Sequence, residues 1–184
     1  GWGVADGFGA VLNTAQVPAG VPVCVVGCGG VGLSAVMSAA LVGADPIIAV
    51  DATEEALQLA RTVGASHTVL ADVEWAARVR QITGGVEYGF DCIGSAGVVL
   101  VGMTAQGETV PVDGYRFPDR GYRLLGSSYG SCVAALDFPK IAQLYLAGRL
   151  PLDRLVTRPI ELSEINTALQ QMRDRAAGRA VIIM

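Results

Sequence analysis

The residues with the clearest capacity for chemistry are three glycines and, one predicted helix later, a carboxylate. Gly27, Gly29 and Gly32 form a Gly-x-Gly-x-x-Gly pattern after the apolar run Val23–Val26, and Asp51 follows about 24 residues after Gly27. In such a pattern the first glycine permits a tight turn, the second admits a pyrophosphate to the backbone, and the third lets the helix pack on the strand. The N-terminus of that helix offers free N–H groups to phosphates. The glycine pattern follows a predicted strand and precedes a predicted helix, and an acidic residue ends the next strand. Together these features predict a dinucleotide-binding site.

The carboxylate of Asp51 predicts which dinucleotide is bound. A carboxylate at this place accepts hydrogen bonds from the 2′- and 3′-hydroxyls of a ribose and repels a 2′-phosphate. The next residues, Ala52 and Thr53, supply no cation that would offset this repulsion. The sequence therefore predicts NAD rather than NADP. The alternative, an acid that only begins the next helix, stays open at this point.

The ends of two later predicted strands are expected to complete the crevice. They are Cys92-Ile93-Gly94 and Val101-Gly102-Met103. Ligands of parallel α/β sheets bind outside the carboxyl ends of the strands. These apolar side chains would enclose adenine or nicotinamide, although a role in packing alone is an equal alternative.

Charge and hydropathy exclude several other classes of function. The net charge is −4 and the sequence pI is about 4.9, and no basic stripe indicates binding to nucleic acid. The apolar segment Val31–Val42 is too short to span a membrane, and no signal peptide is visible. We therefore expect a cytoplasmic protein without a membrane partner. Because the chain opens on Gly1 rather than Met, we also expect it to begin inside a longer protein.

The cysteines and the histidine do not form a pattern typical of a metal site. Their spacing lacks the tight pairs of thiolates or imidazoles that zinc requires. We expect the cysteines to be small buried side chains in a reducing compartment, and the histidine to be structural. The residues concerned are Cys24, Cys28, Cys92, Cys132 and His67.

Strand-like and helix-like segments alternate along the first half of the chain, which predicts an α/β fold with a Rossmann-type doubly wound parallel sheet. The predicted strands are Val23–Val26, Ile47–Asp51, His67–Leu70, Tyr88–Cys92, Val99–Gly102, Arg123–Ser127, Leu155–Ile160 and Ala180–Ile183. The predicted helices are Gly7–Thr14, Gly30–Leu41, Thr53–Val63, Val73–Thr83, Phe138–Ala147 and Glu164–Arg173, the last capped by Ser163.

One predicted connection is too short for this fold. Only Ser95–Val98 separates the strand ending at Gly94 from the strand beginning at Val99. A crossover between parallel strands needs about 10–12 residues or more and usually includes a helix. The sequence therefore predicts a missing segment between Ser95 and Val101, or else a truncated fold.

Several stretches resemble, in the same order, the zinc-dependent medium-chain alcohol dehydrogenases, in particular the branch with thiol-dependent formaldehyde dehydrogenases. These stretches are Gly1–Ala10, Gly27–Gly32, Ile47–Asp51, Val101–Met103, Asp137–Leu152 and Gly178–Val181. The resemblance implies NAD-linked hydride transfer between a primary alcohol and the cofactor, with an alcohol or aldehyde as the small-molecule partner. It also implies a division into an NAD-binding domain, residues 1–136, and a C-terminal segment, residues 137–184, that completes an absent catalytic domain.

The resemblance further assigns roles to individual residues. It implies pyrophosphate contacts from Gly29, Gly30 and Val31, a ribose contact from Asp51, the adenosine end at Cys92 and Ile93, the nicotinamide end at Val101 and Met103, and a phosphate contact from Arg179. It also implies a homodimer or homotetramer that pairs through Arg123–Ser127.

The resemblance fails at one position that matters for catalysis. Trp2 stands where the family has a cysteine ligand of the catalytic zinc. The indole nitrogen is only a hydrogen-bond donor and cannot bind a metal. The other zinc ligands of the family lie upstream, so we expect this chain to bind NAD but to lack hydride transfer alone. A zinc-free medium-chain reductase and a non-catalytic NAD-binding module remain the alternatives.

Overall fold

The computed structural model describes residues 2–93, 99–101, 109, 114–119, 122–173 and 178–183. The strands are β1 Val23–Val26, β2 Ile47–Asp51, β3 His67–Leu70, β4 Tyr88–Asp91, β5 Val99–Leu100, β6 Leu125–Gly126, β7 Val156–Ile160 and β8 Arg179–Ile182. The helices are α1 Trp2–Gly9, which continues as a π-helix over Ala10–Thr14, α2 Gly30–Val42, α3 Glu54–Thr62, α4 Trp75–Thr83, α5 Arg116–Asp119, α6 Ala134–Leu146 and α7 Ile165–Arg173.

Six strands form one parallel sheet in the order β3-β2-β1-β4-β5-β6. In the registers around β1, Val26 lies beside Val50 on one side and Asp91 on the other. The chain moves outwards from β1 to β3 and then returns to the other side of β1 at β4. The order therefore reverses between β1 and β4, which is where such folds form a ligand crevice. The predicted doubly wound α/β fold is confirmed.

The central strands and α2 are apolar because both of their sides are covered. All of β1 except Val26 is buried, and so is all of β2 except Asp51. Parallel sheets covered on both faces favour such continuous runs of Val and Ile. Helix α2 is apolar around most of its circumference, since it lies between the sheet and α1.

The hydrophobic core has two parts, one on each face of the sheet. On one face Val23, Val25 and Phe90 pack with α1, α2 and α3 in the larger cluster. On the other face Cys24, Ile48 and Val50 pack against α4 through Val79 and Trp75. The larger cluster also includes Ile141, Leu150 and Leu155, so residues from the C-terminal part of the chain belong to the same core.

The connection between β4 and β5 is as short as the sequence indicates. The two strands are parallel neighbours, with Phe90 beside Val99, although only residues 92–98 lie between them. Residues 94–98 are outside the described part of the chain. Seven residues cannot contain the helix of an ordinary crossover. A missing segment at this place remains our prediction.

Several helix beginnings differ from the predictions. Helix α1 begins at Trp2 instead of Gly7, and α4 begins at Trp75 instead of Val73.

Two further differences, at α6 and α7, have a cause in local hydrogen bonds. Helix α6 begins at Ala134 instead of Phe138, because the Asp137 carboxylate accepts a hydrogen bond of 2.7 Å from the Val133 N–H and so caps an earlier turn. Ser163 was wrong as a cap. The chain enters a 3₁₀ turn one residue earlier, and Glu161 and Glu164 cap it reciprocally, with the Glu161 N–H donating to Glu164 over 2.8 Å.

Candidate functional site

The first glycine of the pattern makes the turn that the sequence predicts. Gly27 has a φ of +88°, which favours glycine, and its N–H donates to the Val50 carbonyl over 2.8 Å. A Cβ added here would also overlap the side chain of Ile93. The turn therefore connects the end of β1 to β2, and it lies next to Ile93, which follows the end of β4.

The other two glycines of the pattern differ in what surrounds them. Gly29, the residue before α2, has open space where a side chain would be, and its carbonyl accepts the first helical hydrogen bond from Leu33 at 2.8 Å. A Cβ at Gly32 would overlap the carbonyl of Gly27, so close packing of helix on strand requires glycine there. The backbone at Gly29 thus leaves room for a phosphate beside the unpaired N–H groups of the first helical turn.

Asp51 ends β2 and holds the glycine turn in place. Its Oδ2 accepts the Cys28 N–H at 2.7 Å, while its Oδ1 accepts the Thr53 N–H at 2.9 Å and the Thr53 hydroxyl at 3.1 Å. The side chain is half-buried. A carboxylate has about four acceptor positions and three are used here, so Oδ2 keeps room for one more hydrogen bond from a ligand's hydroxyl.

A pocket of about 500 Å³ lies beside this carboxylate, and we call it the adenosine-side pocket. It brings together Gly27, Gly29 and Asp51 with residues from two other places in the sequence. Its lining comprises Val26, Gly27, Cys28, Gly29, Val50, Asp51, Ala52, Ala56, Ala71, Cys92, Ile93 and Met172.

Arg179 lies on the other side of the turn, although it is about 150 residues away in the sequence. It is the first residue of β8, and its guanidinium occupies the space that a Cβ on Gly30 would need. The cation and the N-terminus of α2 therefore present positive charge to the same place. A planar guanidinium suits a phosphate, to which it can donate two parallel hydrogen bonds.

A second pocket, of about 640 Å³, lies next to the first one along the chain, and we call it the tryptophan-side pocket. Gly29 lines the adenosine-side pocket and its neighbour Gly30 lines this one. The two pockets thus flank the glycine turn. The lining of the second pocket is Trp2, Gly3, Val4, Asp6, Gly30, Val31, Leu152, Leu155, Val156, Arg179, Ala180 and Val181.

Trp2 forms one wall of the tryptophan-side pocket. Its side chain is 67% exposed, and its ring lies 4.0 Å, centroid to centroid, from the tilted ring of Tyr129. Within the residues that the structure describes, no three His, Cys, Asp or Glu side chains converge as metal ligands. The residues present therefore do not fit the catalytic zinc that the resemblance implies.

Two of the cysteines, Cys24 and Cys28, are buried free thiols, as the sequence predicts. Burial raises the pKa of the Cys24 thiol to about 12. Burial and, to a smaller extent, the Asp51 carboxylate raise the pKa of Cys28, and burial does the same for Cys92. These thiols stay protonated at neutral pH, so they are poor nucleophiles and metal ligands.

Some of the predicted site residues are not brought to either pocket. Val101 is half-buried and packs against the larger core cluster, and it is not part of the lining described for either pocket. Gly102 and Met103 lie outside the described residues. Conversely, sequence reasoning missed Asp6 and Met172. The spacing of Met172 with Ile165 and Leu169 indicates only a helix stripe, and Asp6 follows no motif.

Comparisons with known proteins agree with this geometry. A sequence model of the family described as zinc-binding dehydrogenase matches residues 30–147. The chain is 30% identical to the class-3 alcohol dehydrogenase of Cereibacter sphaeroides over 207 positions, covering 100% of this chain and 55% of that protein. The chain itself has 184 residues, so that alignment includes gaps in it. It spans about half the length of the curated relatives it matches.

Solved structures with the same fold were also found. Benzyl alcohol dehydrogenase from Acinetobacter calcoaceticus is 30% identical with a TM-score of 0.90, and the match covers 98% of this chain and 54% of that one. A putative zinc-binding dehydrogenase from Sinorhizobium meliloti, solved with bound NADP, is 26% identical with a TM-score of 0.81. The match covers 99% of this chain and 57% of that one.

Proposed function

Because this chain belongs to the zinc-binding dehydrogenase family, we propose that it is the cofactor-binding part of an NAD-dependent alcohol dehydrogenase. The whole protein would transfer hydride between a primary alcohol and NAD. The chain supplies the nucleotide crevice and the C-terminal segment, and the remaining half of the protein supplies the site for the alcohol or aldehyde. The names of the relatives, a class-3 alcohol dehydrogenase and a benzyl alcohol dehydrogenase, support this substrate class.

The observation that carries the proposal is the position of the Asp51 carboxylate at the glycine turn. It lines the adenosine-side pocket while hydrogen bonds from Cys28 and Thr53 hold both of its oxygens. A ribose bound there would find an acceptor that is already oriented, whereas a 2′-phosphate would meet a negative charge. The cations that the structure describes near the site include Arg179, which lies at the phosphate end of the crevice and not beside Asp51.

The pyrophosphate and the adenosine end of a bound NAD have residues that would hold them. Gly29, Gly30 and Val31 with Arg179 would hold the pyrophosphate, and Cys92 and Ile93 would enclose the adenosine end beside Asp51. When bound, NAD supplies the chemistry of accepting or donating a hydride. The contribution of this chain is to fix the position of the cofactor relative to the substrate half of the protein.

Trp2 limits what can be proposed for the metal. Because an indole cannot ligate zinc, we derive no zinc-dependent step for this chain. This residue favours a second candidate function, a zinc-free reductase or an NAD-binding module. Metal analysis of the full-length protein separates the two candidates. At least one zinc per chain would support the zinc-dependent alcohol dehydrogenase, and a protein without zinc would contradict it.

The experiment that tests the leading proposal follows the absorbance of NADH while full-length protein is mixed with NAD⁺ and a series of primary alcohols. We expect turnover with the full-length protein and binding without turnover for residues 1–184 alone. If the full-length protein binds ADP-ribose but oxidises none of the alcohols, the non-catalytic NAD-binding module is favoured.

A further inference from the structure

Asp6 and Trp2 bring a carboxylate and a large aromatic ring to the same pocket. They lie four residues apart on α1, and both line the tryptophan-side pocket together with Gly30 and Arg179 at its phosphate end. Neither residue belongs to the dinucleotide pattern, and the pocket that they line is not needed to hold the adenosine half.

Among the residues that the structure describes, the Asp6 carboxylate has a hydrogen-bond donor but no cation as partner. The residue is half-buried, and this burial raises the pKa of its carboxyl group, while a hydrogen bond from the backbone N–H of Tyr129 lowers the pKa to a smaller extent. Neither of the two ion pairs found among the described residues, Arg61–Glu54 and Arg78–Asp72, includes Asp6. Its titratable neighbours Cys92 and Cys132 have thiol pKa values raised by burial, so they are neutral at pH 7. Asp6 is thus a negative charge with capacity for a positive ligand group.

The position of the pocket indicates which ligand group would reach Asp6. A dinucleotide has its pyrophosphate in the middle, and here the phosphate position at Gly29–Gly30 lies between the two pockets. If the adenosine half lies beside Asp51, the other half must enter the tryptophan-side pocket. That half ends in a nicotinamide ring, which carries a positive charge when oxidised and none when reduced.

We propose that Asp6 and Trp2 form a recognition site for the oxidised nicotinamide ring. The ratio of NAD⁺ affinity to NADH affinity is therefore higher in the wild-type chain than in variants that lack either side chain. The inference rests on the proposed binding of NAD. A cationic ring is attracted both by a carboxylate and by the face of an indole, whereas a neutral dihydronicotinamide gains neither attraction. Trp2 stands at the position where the resemblance implies a zinc ligand, so a contact with the nicotinamide ring would give it a role other than metal ligation.

Titration calorimetry with NAD⁺, NADH and ADP-ribose tests this site directly. Asp6→Asn should weaken NAD⁺ binding about fivefold, since the attraction of a cation in such a site is worth about 1 kcal/mol. NADH and ADP-ribose should change less than about twofold, since neither carries the positive ring. Trp2→Leu should show the same pattern, and because Trp2 is 67% exposed its removal should not disturb folding.

Asp45→Asn is the matched control, because Asp45 is exposed and precedes β2 at the edge of the sheet opposite the glycine turn. It should leave all three affinities unchanged. If ADP-ribose binds and the ratio of the NAD⁺ and NADH affinities is the same in wild type, Asp6→Asn and Trp2→Leu, the inference is wrong while the proposed function stands. If wild-type protein does not bind ADP-ribose at all, the proposed function fails as well.

Discussion

The Cys28 N–H and the Asp51 carboxylate are joined by a hydrogen bond of 2.7 Å. This bond links the glycine turn after β1 to the end of β2, and Thr53 holds the other carboxylate oxygen at 2.9 Å. The acid that would select the cofactor is therefore also part of the framework of the turn. A change at Asp51 should act both on specificity and on the order of the turn.

Asp51→Ala should narrow the preference for NADH over NADPH by about tenfold, because hydrogen bonds to a charged group contribute about 1.5–3 kcal/mol. Parallel fluorescence titrations with both cofactors measure the ratio. Asp51→Asn is the informative partner variant, since it removes the charge that repels a 2′-phosphate and keeps the shape. A ratio that is unchanged in both variants would mean that Asp51 does not touch the ribose.

Gly29→Ala should fold normally but bind the cofactor poorly. A Cβ at Gly29 meets no other atom within 4 Å, and its backbone is extended (φ −74°), so an alanine costs little in the free chain. The methyl group would instead occupy the space beside the helix N-terminus where the pyrophosphate is expected. We expect an unchanged melting temperature with ADP-ribose affinity at least about tenfold lower. Normal ADP-ribose binding would place the phosphates elsewhere.

Gly32→Ala should have the opposite effect. Its Cβ would overlap the Gly27 carbonyl, so helix α2 must move away from the strand. Overpacking of this kind costs about 1–3 kcal/mol, which thermal or urea unfolding would detect. Gly126→Ala, at a position with open space on an edge strand, is the control and should unfold like the wild type.

Met172→Ala should weaken binding of ADP-ribose and NADH to a similar degree. Met172 extends from α7 to line the adenosine-side pocket although it is 58% exposed, and a thioether packs well on an aromatic base. We expect a loss of about fivefold, since a sulfur–aromatic contact contributes at most about 1.5 kcal/mol. Leu169→Ala, at another exposed position of α7 outside the pocket lining, should change neither affinity. Equal losses in both variants would indicate a general effect of α7.

The buried thiol of Cys24 should make stability fall at high pH. Burial raises its pKa in the folded state from 9.0 to about 12, so the unfolded chain loses the proton first. The contribution to stability is complete below pH 9 and is lost as the pH rises towards 12. Denaturant unfolding at several pH values should show a shallower decline in Cys24→Val than in wild type. The same slope in both proteins would contradict burial of this thiol.

The strands nearest the site could be predicted from the sequence to the residue, whereas the contacts between distant segments could not. The bounds of β1, β2 and β3 equal the predicted ones, because buried apolar runs there are bounded by turn residues. Gly27, Gly32 and Asp51 were also predictable, since a local pattern specifies their geometry. The pocket positions of Asp6 and Met172 depend on how α1 and α7 pack against the sheet, and no local pattern reports such packing.

The central claim is that this chain is an NAD-binding unit whose specificity is set at Asp51. The most direct measurement is a fluorescence titration of the wild-type chain with NADH and with NADPH in the same buffer. The structure predicts saturable NADH binding that is at least about tenfold tighter than NADPH binding, because a 2′-phosphate would face the Asp51 carboxylate. Equal affinities for the two cofactors, or no binding of either, would contradict the claim.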